Sequence, residues 1–207
     1  AQIESLAGNT NVTIQATNSI TIEQMSDSIL SFQPGSGTIT FEAGGAFVSN
    51  SGIDTNRRDI SITAGSITFN SNVLIDIDTT FETGLLSTTG DGGSINLTST
   101  SGDISFDNIN TTSGLTGTPG DITISVSPGS SLDFETISTD SGAGQLDGAI
   151  TINGVAQPRG TLTPDEIVGG TPSDGGGTPS DGDTPSGGDT PGGGTPGGGG
   201  TPGGGVI

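Results

Sequence analysis

The chain has 207 residues, 39 of them glycine and 11 proline, with 23 acidic side chains against three basic ones and a formal net charge of −20. Nucleic-acid binding needs clustered Lys and Arg to neutralise phosphates, so this composition argues against it, and the same charge repels anionic membrane surfaces and acidic polysaccharides. His, Cys, Trp, Tyr and Lys are all absent, which removes most general bases, nucleophiles, transition-metal ligands and sugar-stacking rings.

In chain order, residues 1 to about 155 carry short bursts in which apolar side chains occupy alternate positions. These are Val12-Ile14-Ala16, Ile20-Ile22, Ile39-Phe41, Ile60-Ile62, Ile67-Phe69, Val73-Ile75-Ile77, Ile95-Leu97, Ile104-Phe106, Ile122-Ile124-Val126, Leu132-Phe134 and Ile150-Ile152. A period of two predicts strands with one buried face, and the Thr, Ser, Asn and Asp between the apolar residues leave the other face wet. Helical periodicity is absent until Thr163-Pro164-Asp165-Glu166, where Thr can cap, Pro suits the first helical position and Glu166 closes a capping box. A short helical turn is predicted over 161–168, closing a folded region of 1–160.

From Gly169 to Ile207 the composition changes to 18 Gly and 6 Pro in 39 residues, with Thr-Pro pairs at 171, 178, 184, 190, 195 and 201. Ordering each residue costs about 1–2 kcal/mol of backbone entropy, with almost no apolar burial to offset it, so 169–207 reads as a disordered Gly/Pro/Thr-rich tether. No apolar run approaches the ~20 residues that span a bilayer. The start at Ala1, with neither initiator Met nor a basic signal-peptide start, reads as that of a mature or excised piece, and Val206-Ile207 directly after a PGGG repeat suggests a longer parent.

Sandwiches and solenoids both consist of many short strands, and the spacing of the bursts favours the second. Ile20, Ile39 and Ile60 are 19 and 21 residues apart, and Ile104 and Ile122 are 18 apart, which suggests turns of ~20 residues and ~7 coils. The 7 residues from Ile60 to Ile67 and the 9 from Ile95 to Ile104 fit one step around a corner, whereas the 28-residue steps from Ile67 to Ile95 and from Ile122 to Ile150 imply enlarged coils. The expected fold is all-β, a parallel β-helix, with a disordered C-terminal tail.

The stretches GGSINLTS (92–99), SGDISFDNINTTSG (101–114), GTPGDITISV (117–126) and GAITING (148–154) resemble the repeats of filamentous-haemagglutinin-type adhesins of the two-partner secretion pathway, especially the large cyanobacterial surface proteins. The resemblance covers residues 8 to 155. It implies a right-handed parallel β-helix displayed at the cell surface or released outside the cell. The Asn-Pro-Asn-type signals of that family's secretion domain have no match here, so the resemblance implies a stalk rather than the export module.

Carboxylate pairs at Asp76/Asp78, Asp103/Asp107 and Asp133/Glu135 could face one side of a strand, as in glycosidases, but they lack the cations and aromatic rings that polysaccharide-cleaving enzymes also use. The chain therefore reads as no enzyme, with no catalytic residues and no cofactor. Calcium is the most credible ligand for its oxygens; Gly90-Asp91-Gly92-Gly93-Ser94-Ile95 is a single calcium-roll-like stretch without the tandem repeat such rolls need, which leaves weak, diffuse cation binding. Thr79-Thr80, Thr88-Thr89 and Thr111-Thr112 are adjacent pairs that point to opposite sides, so they form no water-ordering Thr array. Asn11-Val12-Thr13, Asn96-Leu97-Thr98 and Asn110-Thr111-Thr112 match the glycosylation pattern, which is idle in a bacterial protein. Arg57-Arg58 reads as an exposed loop pair beside neighbouring acids. The functional expectation is a structural and adhesive surface protein, a rigid spacer with a flexible tether, whose partner is a surface or matrix component. The alternatives are a filament built from copies of itself and, from another class, a polysaccharide-processing β-helix.

Overall fold

The computed structural model describes residues 2–70, 74–76, 92–111, 117–141 and 146–168. All of them belong to the first of two units, residues 1–175. The Gly/Pro/Thr-rich tail, Val73, Ile77, Asp78, Gly90, Asp91, Thr112 and the pairs Thr79-Thr80 and Thr88-Thr89 lie outside the described residues.

The described part is nearly all β, with strands that go to three sheets in rotation. The first round is β1 (Val12–Ala16), β2 (Ile20–Ile22) and β3 (Ile29–Ser31), and the second is β4 (Ile39–Ala43), β5 (Ala46–Ser49) and β6 (Gly52–Asp54). The third is β7 (Ile60–Ala64), β8 (Ser66–Phe69) and β9 (Leu74–Asp76), and the fourth is β10 (Ile95–Ser99), β11 (Ile104–Ser105) and β12 (Asn108–Asn110). The fifth is β13 (Ile122–Ser125), β14 (Leu132–Asp133) and β15 (Thr136–Ser138), followed by β16 (Ile150–Ile152), β17 (Val155–Ala156) and β18 (Thr161–Leu162). The sheet orders are β1-β4-β7-β10-β13-β16-β17, β14-β11-β8-β5-β2 and β18-β15-β12-β9-β6-β3. Every pairing is parallel except those of β17 and β18.

Parallel in-register pairing stacks like on like. Val12, Ile39, Ile60, Ile95, Ile122 and Ile150 form one buried rank of the first sheet, and Ile20, Phe47, Ile67 and Ile104 form one of the second. The third sheet adds Leu30, Ile53, Ile109, Ile137 and Leu162, and all three faces close on one apolar core. Each such side chain contributes about 1.5–3 kcal/mol by leaving water. Phe47 lies 5.2 Å from Phe41 and 5.6 Å from Phe69 between ring centroids, and Phe106 stacks on Phe134 at 5.6 Å. The few aromatic rings thus fill the centre between the aliphatic ranks.

The register corrects the expected spacing. In the first sheet the steps are 27 residues from Val12 to Ile39, 21 to Ile60, 35 to Ile95, 27 to Ile122 and 28 to Ile150. Ile20 pairs with Phe47 in the second sheet rather than stacking on Ile39, and Ile104 pairs with Leu132 rather than stacking on Ile122. A repeat near 20 residues holds for the second round alone, from Ile39 to Ile60, and the 28-residue step from Ile122 to Ile150 is an ordinary one. The expected ~7 turns come down to six parallel strands in the first sheet. The 7- and 9-residue steps do lead from the first sheet to the second, as β7 to β8 and β10 to β11.

At its C-terminal end the parallel pairing stops. Asn153 and Gly154, at φ +50° and +77°, make the tight left-handed turn that folds β17 back on β16. β18 runs antiparallel to β15, so sheet structure extends past residue 160. The turn predicted at 161–168 is a 3-10 helix, Pro164–Glu166, in which the Glu166 carboxylate accepts the Thr163 amide and hydroxyl, each at 3.0 Å. At the other end, the 3-10 helix Gln2–Ser5 brings the Glu4 carboxylate to the Ser31 amide on β3, 3.3 Å away.

Candidate functional site

Where the third sheet turns back into the first, the backbone of each round passes almost directly over the last. A Cβ built on Gly37 would stand 2.5 Å from the Thr10 carbonyl oxygen, one on Gly93 2.5 Å from that of Arg58, and one on Gly120 1.9 Å from that of Gly93. One on Gly148 would stand 2.3 Å from the oxygen of Gly120. Glycine at these corners is therefore a requirement of close approach. The carbonyls of this column must find donors, because a buried unpaired carbonyl costs about 1–3 kcal/mol.

Buried threonines at the end of the third sheet supply most of those donors. The Thr55 hydroxyl donates to the carbonyl of Arg58 at 2.7 Å, Thr111 to that of Gly120 at 2.7 Å and Thr139 to that of Gly148 at 3.0 Å. All three side chains are fully buried. One round before Thr55 the equivalent position holds Phe32, which has no donor.

Arg58 makes good that deficit. Its Nε donates to the Gly37 carbonyl at 2.8 Å, and its Nη2 donates to those of Thr10 at 2.6 Å and Thr38 at 3.4 Å. The guanidinium carbon lies 5.4 Å above the Phe32 ring. Asn56 and Arg57, both left-handed at φ +48° and +75°, turn the chain so that Arg58 points inward. Thus the expectation of an exposed Arg57-Arg58 pair is corrected at Arg58, which is 1% exposed. Its acceptors are backbone carbonyls rather than neighbouring acids: those of Gly37 and Thr10, and that of Thr38, which also accepts the Val12 amide at 2.8 Å. Burial pushes the guanidinium below its ordinary value. Nη1 is the one buried side-chain nitrogen or oxygen without a partner among the described residues.

A second ladder runs along the strand entrances. The side-chain oxygen of the residue before a strand accepts the amide of its counterpart one round on. Asn11 takes Thr38 at 3.0 Å, Asp59 takes Ser94 at 2.8 Å, Ser94 takes Asp121 at 3.3 Å and Asp121 takes Ala149 at 2.8 Å. The second sheet repeats this with Ser19 on Ala46 at 3.3 Å and Asp103 on Ser131 at 2.7 Å. The signal was present in the sequence as a polar residue before Val12, Ile20, Ile60, Ile95, Ile104 and Ile122, yet alternation alone does not reveal it.

The carboxylate pairs are distributed over these corners. Asp103 precedes β11 whereas Asp107 precedes β12, so the two belong to entrances of different sheets. Hydrogen bonds from the Ser131 amide and hydroxyl hold the Asp103 carboxyl below the usual carboxylate range. Asp133 and Glu135 are exposed, and the backbone of Asp76 pairs with Asp54 and Asn110 in the third sheet. No group of three or more acidic side chains that could hold a metal gathers among the described residues. Asn11 and Asn96, the first residues of two glycosylation patterns, are exposed at strands of the first sheet.

On the outward face of the first sheet the register aligns polar side chains in two ranks, and none of the described strands sets Thr in both. Thr13, Thr40, Ser61, Asn96, Thr123 and Thr151 stand in register in one outward rank, and Gln15, Glu42, Thr63, Thr98 and Ser125 in the next. Unequal steps between paired strands hide this alignment in the sequence. Beside Gln15, Glu42 and Thr63 lies an open depression of about 410 Å³, floored by Ala16, Ala43 and Gly44.

No family model, curated protein or solved structure matches the chain. The resemblance to filamentous-haemagglutinin-type repeats therefore rests on the residues themselves, and these acquire a physical meaning. In GGSINLTS, Gly93 is the corner glycine, Ser94 the entrance oxygen, Ile95 and Leu97 the core, and Asn96 and Thr98 the outer face. Gly120-Asp121-Ile122-Thr123-Ile124 repeats the same five roles one round later.

Proposed function

We propose that residues 1–168 form a right-handed parallel β-helix that acts as the rigid spacer of an extracellular, adhesive surface protein, with the Gly/Pro/Thr-rich tail as its tether. The observation that carries this reading is the strict rotation of strands through three in-register sheets around one core. Such a stack resists bending because every round is bonded to its neighbours by backbone ladders, corner carbonyl bonds and entrance side chains. The repeat texts from 92 to 154, which resemble those of two-partner-secretion adhesins, support display at the cell surface. The described acids serve as entrance acceptors, accept other local hydrogen bonds as Asp54 and Asp147 do, or stand in solvent, which supports the reading of a non-catalytic protein.

A filament of copies is the second reading, and the ends of the stack bear on it. β17 and β18 lie antiparallel on β16 and β15, so a second copy could not prolong the parallel ladder there without displacing them. We therefore favour the single spacer. Negative-stain microscopy and small-angle scattering over a range of concentrations, with and without calcium, test it. Elongated single particles of constant length are expected; fibres that grow with concentration, or a compact particle, would overturn it.

A further inference from the structure

We propose that the Gln157 carboxamide is a tension clamp, the point at which pull on the tail enters the strand stack. The inference rests on the spacer-and-tether reading above and deepens it, by naming the group that joins the two.

The clamp consists of one side chain and one backbone unit. The Val168 amide donates to Gln157 Oε1 at 2.7 Å, and Gln157 Nε2 donates to the Val168 carbonyl at 3.0 Å. A single carboxamide thus accepts from and donates to the same residue, as the opposite residue of a hydrogen-bonded strand pair does. Gln157 is 8% exposed, so water competes poorly for these bonds. The Val168 side chain is 53% exposed, which leaves its backbone as what fastens that residue. Gln157 is itself tied back: its amide donates to the Ile150 carbonyl on β16 at 2.8 Å, and Nε2 also donates to the Val155 carbonyl at 3.1 Å.

Position matters as much as bonding. Val168 is the last described residue before the Gly/Pro/Thr-rich segment that opens at Gly169. Pull on that segment reaches Val168 first, crosses to Gln157 and passes to Ile150, whose strand is laddered through β13 to the rest of the first sheet. This route skips 11 residues of sequence, and β18 and the 3-10 helix Pro164–Glu166 lie in the loop it bypasses. An apolar residue at 157 would close this end of the core equally well; a carboxamide that pairs with backbone in both directions holds a chain segment in place.

The test pulls the full chain with optical tweezers in two geometries. The chain has no Cys, so Asp133→Cys, at an exposed position of β14, supplies one unique handle. With the second handle at the end of the tail the load passes through Val168; with it at the N-terminus the load does not. In the first geometry Gln157→Ala is expected to yield at roughly half the wild-type force, both bonds to Val168 being gone, and in the second at the wild-type force. Gln157→Glu, which keeps the acceptor and loses Nε2, falls between. Equal forces for wild type and Gln157→Ala in the first geometry overturn the proposal, and so does an equal drop in both geometries, which a general loss of stability would give. Hydrogen exchange on the wild type decides the matter even where a variant fails to fold: the Val168 amide is expected to exchange about tenfold or more below the open-chain rate, and exchange at that rate overturns the clamp. Scattering on the same samples separates the two readings: an elongated particle without the force difference removes this inference and leaves the spacer, while a compact particle removes the spacer.

Discussion

The Arg58 guanidinium reaches back 48 residues in sequence to the carbonyl of Thr10, at 2.6 Å. That bond ties the third round to the first across the intervening Gly37, from a side chain that is itself buried to a corner carbonyl of an exposed residue. A buried arginine normally answers to a carboxylate; here the partial charges of three carbonyls and the face of Phe32 do the work.

Arg58→Ala removes every one of these donors and leaves the carbonyls of Gly37 and Thr10 without that partner, while that of Thr38 keeps the Val12 amide. At about 1–3 kcal/mol for each group so stranded, the loss is expected to reach roughly 3–5 kcal/mol. Arg58→Met, which keeps the apolar stem against Phe32, should lose less. Urea unfolding of both variants checks this, and a change under about 1 kcal/mol for Arg58→Ala would contradict the role given to the side chain.

The threonine hydroxyls are expected to behave alike but individually smaller. Thr111→Val and Thr139→Val keep the shape and lose one buried donor each, at a cost of about 1–2 kcal/mol. Thr139 should lie at the upper end, because its oxygen also accepts the Gly160 amide at 3.2 Å. Thr139→Ser, which retains the hydroxyl, separates the hydrogen bond from packing: a melting temperature near wild type for Ser and well below it for Val is expected.

How far the fold was legible follows from particular strands. The first two sheets announce themselves because β4, β7, β10 and β13 of the first and β8 of the second bury apolar residues at alternate positions. The third sheet does not: β3, β6, β12 and β15 bury one apolar residue each, Leu30, Ile53, Ile109 and Ile137, and a single residue has no period. With that sheet marked only by the Val73-Ile75-Ile77 burst at β9, the steps from Ile20 to Ile39 and from Ile104 to Ile122 run from the second sheet to the first, so that 20 residues look like a turn where 27 or 28 is the commoner value. Arg58 was illegible for a different cause. Its burial depends on a phenylalanine standing at position 32, one round before Thr55, and that equivalence exists only once the register is known.

The acid limb of stability should report on the entrance ladder. The Ser131 amide lowers the Asp103 carboxyl in the folded state, so the folded value lies below that of the unfolded chain. The contribution is therefore whole above about pH 4, the ordinary range of an unfolded Asp, and disappears as pH falls through the lower folded value. Glu166, held down by the Thr163 amide and hydroxyl, acts in the same direction. Protonation of the other acids relieves self-repulsion and opposes this loss, so the comparison must be between variants. Asp103→Asn keeps an acceptor oxygen without a titrating group. Its stability relative to wild type is expected to rise as pH drops from 5 to 2, and a constant difference over that range would remove the carboxylate from the account.

Glycine at the corner column and glycine in a turn should answer differently to the same substitution. Gly129 has φ +83° and nothing within 4 Å of an added Cβ, so alanine there meets only the backbone penalty of the left-handed region, about 1–2 kcal/mol. Gly120 has no such φ, yet its Cβ would stand 1.9 Å from the Gly93 carbonyl oxygen, and that oxygen belongs to backbone with no rotamer by which to retreat. Relief requires the fourth and fifth rounds to separate, which stretches the ladder between Ile95–Ser99 and Ile122–Ser125 and pulls the Gly120 carbonyl from the Thr111 hydroxyl. Gly120→Ala should therefore cost well over 3 kcal/mol, more than twice the effect of Gly129→Ala. Thermal unfolding of the two variants decides it: equal losses would mean that the close approach of successive rounds, and with it the column of corner carbonyls, is not what holds this stack together.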